Sequence, residues 1–392
     1  MSGKQRLREQ RAGTVINATS KKQETEVMLP PALSANAAYT TKLGAQLVGD
    51  SRVLLKGLAP ESVDLIVTSP PFPLLREKSY GNKEQHEYVE WLMEFGRAAL
   101  PALKPTGSFV IDLGGAYQRG VPVRSLYQWR VLLGFCDDLG YRLAEEFYWH
   151  NPAKLPSPIE WVNKRKIRVK DSVNTVWWLS KGEWPKADVR QVLAPYSERM
   201  KKLIKDPDAF YKPKGRPSGH DIAKSFGTDN GGAIPPNLLQ YPNTESNSAY
   251  IRHCKAIGRE SHPARFPVDL PAFFIKFLTE PGDLVVEIFG GSNTTGRVAE
   301  DLGRKWITME ERRDYAALSA LRFLDPDADV SKIEKTVSAI EAHKVIEFDG
   351  LAPLPVSKAK TPPPPRPERD TEAPRSSAEG SNVAPTQPQK SI

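Results

Sequence analysis

Short apolar runs alternate with amphipathic stretches along most of the chain, which is the pattern of strands that alternate with helices. The apolar runs predict strands over 45–50, 63–67, 108–113, 142–150, 172–179, 283–289 and 306–310. The amphipathic stretches predict helices over 52–58, 88–99, 125–139, 270–278, 297–302 and 314–323. This order of elements is typical of an α/β fold in which helices flank a parallel sheet.

Three parts of the chain depart from this pattern and suggest its domain organisation. Residues 1–40 begin polar and basic with weak periodicity, so we expect a flexible basic N-terminal arm. Residues 346–392 become rich in proline, serine and glutamine, which predicts a disordered tail. In 185–262, basic and aromatic residues are mixed with few periodic apolar ones, as in a nucleic-acid-binding insert or a long solvated excursion. The stretches 41–184 and 263–345 would then be the two halves of one domain.

Composition narrows the class of protein. The chain has 392 residues, is 39% hydrophobic and carries a net charge of +8, which suits a globular protein with a polyanionic partner. No apolar run reaches the length of a membrane span, and the N-terminus does not resemble a secretory signal. The two cysteines, Cys136 and Cys254, form no zinc-binding pattern. We therefore expect a cytoplasmic protein with reduced thiols and no metal site.

A proline-rich loop follows the predicted strand 63–67. The prolines of Ser69-Pro70-Pro71-Phe72 lack backbone donors and restrict the chain, so they end the strand in a stiff loop. Ligands bind at this carboxyl edge in open α/β sheets. The Ser69 hydroxyl and the Pro70 carbonyl can accept hydrogen bonds from an amino group on a planar ring, and Phe72 can stack on that ring. A simple turn after a buried strand is the alternative interpretation.

The segment 283–310 has the pattern of half a nucleotide-binding unit, with a strand, a glycine-rich turn, a helix and a second strand that ends in Glu310. Glycines allow the backbone to approach a ligand, and an acid at the next strand end can accept from ribose hydroxyls. The loop matches neither GxGxxG nor GxxxxGK[ST], which disfavours a dinucleotide or a cradled triphosphate. The remaining candidate is a ligand that contains adenosine and does not need a pyrophosphate group.

Three motifs together give the chain a family resemblance: Ser69–Phe72, His262–Pro267 and Ile288–Gly296. Over about 42–325 the chain resembles the DNA amino-methyltransferases that use S-adenosylmethionine. The base loop precedes the cofactor loop with a basic insert between them, which looks like the β class. Ser-Pro-Pro is the form typical of cytosine-N4 enzymes, and the three motifs together look like the PvuII-type modification methyltransferases. The resemblance implies a Rossmann-like methyltransferase sheet, circularly permuted, with an inserted DNA-recognition region.

The resemblance also implies roles for individual residues. The catalytic set, which holds and stacks on the target base, is Ser69, Pro70, Pro71 and Phe72. The cofactor-binding set is Asp50, Thr68, Glu287, Phe289, Gly290, Gly291, Ser292, Thr294 and Glu310. Within it, Glu287 would approach the amino group, Glu310 the ribose and Asp50 the adenine, although Asp50 could equally cap a helix and Glu310 could be a surface acid. Two departures from the family are Asn293, where many relatives have glycine, and Glu287, where aspartate is commoner.

The implied function is methyl transfer from S-adenosylmethionine to the N4 of a cytosine flipped out of double-stranded DNA, at the possible site CAGCTG, in restriction-modification. The expected DNA contacts in the insert are Lys212, Lys214, Arg216, His220 and Lys224. We expect a monomer without an obligate protein partner. The alternatives are an adenine-N6 enzyme, which Ser69 argues against, and a DNA-binding relative without catalysis, which the intact Ser69, Phe72 and Glu310 argue against. The missing GxGxxG disfavours an oxidoreductase.

Overall fold

The computed structural model describes residues 29–72, 85–207, 227–245 and 247–351. Within these ranges ten strands form one sheet: β1 (Ala37–Thr41), β2 (Gly44–Val48), β3 (Val63–Thr68), β4 (Leu103–Gly114), β5 (Arg142–His150), β6 (Val173–Ser180), β7 (Leu238–Gln240), β8 (Leu284–Glu287), β9 (Lys305–Glu310) and β10 (Ile346–Phe348). The order across the sheet is β10-β1-β2-β9-β8-β3-β4-β6-β5-β7.

Helices cover both faces of this sheet. Those in the described ranges are α1 (Pro31–Ser34), α2 (Ser51–Leu54), α3 (Gln85–Ala99), α4 (Tyr127–Leu133), α5 (Glu198–Lys205), α6 (Ala249–Ala256), α7 (Asp269–Leu278), α8 (Thr294–Asp301), α9 (Arg313–Ser319) and α10 (Val330–Glu341). Single turns of tighter or wider helix extend α2, α4 and α9. None of the helices in this part of the chain combines the length and the apolar character that crossing a bilayer requires.

Strand β3 shows why the core has two sides. All six of its residues are buried. Leu65 and Val67 pack into the core that includes Phe274 and Trp306, whereas Ile66 packs into the core that includes Phe109. Successive side chains of a strand point to opposite faces, so a strand covered on both faces reads as one continuous apolar run. Only the ends of such a strand can present polar groups to a ligand.

All seven predicted strands are present. We expected a parallel sheet, but some of its strands run antiparallel. Strand β6 runs antiparallel to both β4 and β5, and β1 runs antiparallel to β2. The apolar pattern of a buried strand is the same in either direction, so the sequence did not reveal these reversals. Because two reversals cancel, β5 runs the same way as β4, and its carboxyl end reaches the same edge of the sheet.

The folded part extends beyond the boundaries that composition suggested. Helix α1 and most of strand β1 lie within the expected arm 1–40, and β10 lies within the expected tail 346–392 and pairs with β1. Strand β7 and helix α6 lie within the expected insert 185–262, and α6 buries Tyr250 and Cys254 in the core. These elements are too short to show a clear periodicity, so composition did not reveal that parts of the expected arm and tail are folded.

Candidate functional site

A cavity of about 730 Å³ lies at the carboxyl ends of the central strands. That volume is within the range of small-molecule sites. The predicted site residues on its wall are Asp50, Ser69, Pro70, Pro71, Phe72, Glu287, Phe289, Gly290, Gly291, Ser292, Thr294 and Glu310. The fold thus brings the proline-rich loop and the glycine-rich loop together, although more than two hundred residues separate them in the chain.

The glycine-rich loop turns through left-handed backbone angles. Gly291 has a φ of +49°, and a Cβ there would lie 3.0 Å from the His262 ring. Asn293 has φ 51° and ψ 44°, which asparagine adopts more readily than most residues. Its side chain accepts from the Gly296 N–H at 2.9 Å and donates to the Tyr39 hydroxyl at 2.8 Å. Asn293 therefore fills the position of the missing glycine and also caps α8.

Glu287 ends β8 with a side chain buried beside the cavity. It accepts from the Thr68 hydroxyl, from the Phe289 N–H at 3.0 Å and from the Thr295 hydroxyl at 3.1 Å. Burial raises the pKa of Glu287 to about 8, so the ligand-free site holds it largely protonated at neutral pH. Thr68 is not on the cavity wall; it contacts Glu287 instead.

Glu310 ends β9 and is fixed by the backbone on both sides. One carboxylate oxygen accepts from the Gly291 N–H at 2.8 Å and the other from the Arg312 N–H at 2.9 Å. Burial raises the pKa of Glu310. A carboxylate that lines a cavity and orders the glycine-rich loop is not a surface acid, so the structure disfavours that alternative.

Asp50 is the N-cap of α2, one of the two interpretations that the sequence left open. Its carboxylate accepts from the Arg52 N–H at 2.9 Å and from the Arg52 guanidinium, and these bonds lower the pKa of Asp50. Arg52 also pairs with Glu94. Asp50 lines the cavity as well, and its contact with an adenine remains a prediction.

The proline-rich loop carries a hydrogen-bonded pair that the sequence did not predict. The Ser69 hydroxyl donates to Asp112 Oδ2 at 3.0 Å, and Asn174 Nδ2 donates to the same oxygen at 3.3 Å. In the described part of the chain, Oδ1 of Asp112 is buried and accepts no hydrogen bond. Burial raises the pKa of Asp112 to about 7, while Asn174, Ser69 and the charge of Lys154 oppose the rise.

Aromatic rings form much of the remaining wall. The Phe289 ring lies 4.7 Å from that of Phe95 and 5.7 Å from that of Trp91. Phe72 packs directly on Gly114, where any added Cβ would overlap the ring. The cavity therefore combines apolar faces with a few fixed polar groups, which is the usual composition of a site for a planar organic ligand.

Other predicted residues are not tested by this structure. Lys212, Lys214, Arg216, His220 and Lys224 all lie outside the described residues. Conversely, the cavity is lined by residues that the sequence did not single out, namely Trp91, Phe95, Asp112, Asn151, Lys154 and Asn174. Asp112 had a signal, since an acid inside an otherwise apolar strand is either paired or functional.

The polar groups of the cavity fit an adenosine-bearing cofactor with a charged amino end. Two acidic side chains lie at adjacent strand ends, Glu287, which is buried, and Glu310, which is half-buried, and their oxygens can accept from an ammonium and from hydroxyls. Because Gly291 has no side chain, its backbone stays open to the cavity, whereas a Cβ at this position would lie against the His262 ring. Within the described ranges no cluster of three histidine, cysteine or acidic side chains could hold a metal ion.

Known proteins resemble this chain over most of its length. The family model described as DNA methylase (N6_N4_Mtase) matches residues 63–321. The type II methyltransferase M.PvuII of Proteus hauseri is 64% identical over 314 residues, which cover 80% of this chain and 94% of that protein. M.SmaI of Serratia marcescens is 26% identical, covering 71% of this chain and 90% of that protein.

A solved structure named PvuII DNA methyltransferase (cytosine-N4-specific) superposes with a TM-score of 0.68 at 50% identity, and the match covers 81% of this chain and all of that one. The family model spans more than half of the chain, and it includes both loops of the cavity. The chain therefore belongs to the DNA methylase family of N6 and N4 methyltransferases.

Proposed function

We propose that this protein is a site-specific DNA methyltransferase that transfers a methyl group from S-adenosylmethionine to the exocyclic N4 of a cytosine in double-stranded DNA. The observation that carries the proposal is the Ser69–Asp112 hydrogen bond, on the wall of a cavity that also holds Glu287 and Glu310. Two similarities support the same reaction: the type II methyltransferase M.PvuII is 64% identical over 314 residues, and the superposed structure at 50% identity is named as cytosine-N4-specific.

The glycine-rich half of the cavity would hold the cofactor. Glu310 offers a fixed carboxylate to ribose hydroxyls, and Glu287 offers a carboxyl group to the amino end. Phe289 provides an apolar face, and Ser292 and Thr294 provide polar groups on the same wall. When bound, S-adenosylmethionine supplies an electrophilic methyl group on a sulfonium.

The proline-rich half would hold the target base. The N4 lone pair of cytosine is delocalised into the ring, which makes that nitrogen a weak nucleophile. The Ser69 oxygen and the Pro70 carbonyl can both accept from the N4 hydrogens, which localises the pair on nitrogen. Alignment by two fixed acceptors supplies much of the rate in such a transfer. No covalent intermediate on the enzyme is needed.

Asp112 gives the reaction a destination for a proton. The methylated nitrogen must lose one proton, and the Ser69 hydroxyl that faces it already donates to Asp112. The nitrogen can pass its proton to Ser69 Oγ while Ser69 passes its own to Asp112 Oδ2. Because the pKa of Asp112 is about 7, a large fraction is ionised and able to accept at neutral pH.

The base must leave the helix to reach this site. Flipping a nucleotide out of a duplex costs a few kcal/mol. Stacking on an aromatic ring returns about 1–3 kcal/mol, and Phe72 is the ring that the proline-rich loop supplies. The motif Ser69–Phe72 thus combines a stacking face with hydrogen-bond acceptors.

Several parts of the proposal rest on the family resemblance and on composition. They are recognition of CAGCTG, a place in restriction-modification, DNA contacts by the insert, a monomeric state without an obligate partner, and a cytoplasmic location. An adenine-N6 enzyme and an inactive DNA-binding relative are the alternatives.

A single experiment separates these alternatives. Plasmid DNA is incubated with the protein and labelled S-adenosylmethionine, digested to nucleosides and analysed by mass spectrometry. We expect labelled N4-methylcytosine. N6-methyladenine as the product would identify the adenine enzyme, and the absence of label in DNA that binds the protein would identify an inactive relative. Mapping the modified positions tests CAGCTG.

A further inference from the structure

The segment 151–171, which joins β5 to β6, is held firmly at the edge of the sheet where the cavity opens. The Asn151 N–H donates to the Ser172 carbonyl at 2.9 Å, and the Asp171 N–H donates to the Ser157 carbonyl at 3.0 Å. The Lys170 ammonium donates to the carbonyls of Pro152 and Lys154 at 3.2 and 3.3 Å. Three prolines further restrict the first part of the segment.

Two neighbouring residues of this segment have opposite environments. Lys154 lines the cavity, and its charge lowers the pKa of Asp112. Leu155 follows directly, and it is 80% exposed. Because Lys154 belongs to the wall and Leu155 is in solvent, Leu155 lies where the wall of the cavity meets the protein surface.

The surroundings of Leu155 are basic and partly apolar. The segment carries six cations, Lys154, Lys164, Arg165, Lys166, Arg168 and Lys170, against two acids, Glu160 and Asp171. Ile159 and Val169 are also exposed, by 61% and 87%. A surface with this positive charge suits a polyanion. The exposed aliphatic groups between the charges suit a polyanion that also has apolar faces, and duplex DNA has both properties.

We infer that the segment 151–171 docks on double-stranded DNA and that Leu155 enters the base stack at the place left by the flipped cytosine. The inference rests on the proposed function, because it requires a base that leaves the helix. Apolar side chains are known to enter between base steps, where they replace lost stacking. A leucine on a segment that is already ordered loses little further conformational freedom when it inserts.

The test compares the full-length protein with Leu155→Ala and Leu155→Met under single-turnover conditions on two duplexes. Both contain the site mapped for the wild-type protein, and one has an abasic position opposite the target cytosine, which makes flipping easier. We expect Leu155→Ala to lower the methylation rate about tenfold on the fully paired duplex and less than about twofold on the other. Leu155→Met should stay close to wild type.

Trp184→Ala is the matched control. Trp184 is 86% exposed, and its loop is bonded to the backbone of Thr106 and Gly107, before the part of β4 that leads to the cavity. It should therefore be active on both duplexes. Unchanged thermal unfolding of Leu155→Ala would show that the exposed leucine does not support the fold.

A second measurement follows flipping itself. With 2-aminopurine at the target position, binding of the wild-type protein should raise the fluorescence, and Leu155→Ala should raise it less at saturating protein. Equal loss of rate on both duplexes, or no loss on either, would overturn the role of Leu155. Failure of the wild type to form N4-methylcytosine would overturn the proposed function as well, so the two failures are distinguishable.

Discussion

The pairing of Ser69 with a buried acid explains how a hydroxyl can act on an amino group. The hydroxyl donates to Asp112, so its lone pairs remain available to a substrate N–H. We predict that Ser69→Ala lowers kcat about a hundredfold and leaves the affinity for S-adenosylmethionine nearly unchanged. Steady-state kinetics and calorimetry measure the two quantities. A large loss of cofactor affinity with normal turnover would contradict the assignment.

Asp112 should make turnover depend on pH. Its pKa of about 7 means that it loses its proton as the pH rises through neutrality, and only the ionised form can accept one. We predict that wild-type kcat rises between pH 6 and 8 and then levels, whereas Asp112→Asn is slow and nearly independent of pH. A flat wild-type profile, or a variant that keeps the rise, would exclude Asp112 as the proton acceptor.

Glu310 should affect binding rather than chemistry. Its carboxylate makes charge-assisted bonds, and each such bond that Glu310→Ala removes should weaken cofactor binding by about 1.5–3 kcal/mol. Glu310→Gln is the informative control, because it retains an oxygen for the Gly291 N–H. Calorimetry on both variants gives the dissociation constants. If Glu310→Ala binds the cofactor like wild type, Glu310 only orders the loop.

At the scale of elements, the sequence predicted the strand ends that carry the site but not their pairing. The runs that became β3, β8 and β9 were recognisable because each is mostly apolar and ends in a proline-rich loop, a glycine-rich loop or an acid. The bond between Thr68 and Glu287 joins residues 219 positions apart, and no local pattern encodes such a contact. Asp112 was visible as an acid in a strand, but its partner Ser69 follows a different strand.

Asn293 tests how the glycine-rich turn is maintained. Glycine adopts the left-handed angles freely, whereas alanine loses the cap and also incurs strain of about 1–2 kcal/mol. We predict that Asn293→Ala is less stable than Asn293→Gly by about that amount, as measured by urea unfolding. Equal stability of the two variants would mean that the backbone angle at this position is not a constraint.

At the scale of the whole molecule, the alternation of strand and helix patterns predicted the α/β core, whereas composition did not locate the edges of that core. Strands β1 and β10 pair with each other, although they come from opposite ends of the folded chain. Strand β7 has three residues and helix α6 eight, which is too little for periodicity to rise above the background of a basic, proline-rich stretch. Such elements gain their stability from tertiary contacts, which the sequence does not display.

The buried acids of the cavity should make the ligand-free protein less stable as the pH rises. The pKa of Glu287 is about 8 in the folded protein and 4.5 ordinarily, and that of Asp112 is about 7 against 3.8. Between these values the folded state holds protons that the unfolded state has released. Since the folded state then binds more protons, the free energy of unfolding falls as the pH rises.

We therefore predict that Glu287→Gln gains stability relative to wild type between pH 5 and 8, by at least about 1.4 kcal/mol, the equivalent of one pKa unit. Urea unfolding of the ligand-free proteins at several pH values gives this difference, and a constant loss of hydrogen bonds in the variant does not affect its slope. Asp188→Asn is the control, because Arg190 holds the pKa of Asp188 at about 2, below the whole range. The difference in unfolding free energy between Asp188→Asn and wild type should stay constant over this pH range. If the difference for Glu287→Gln also stayed constant, Glu287 would be ionised in the folded protein.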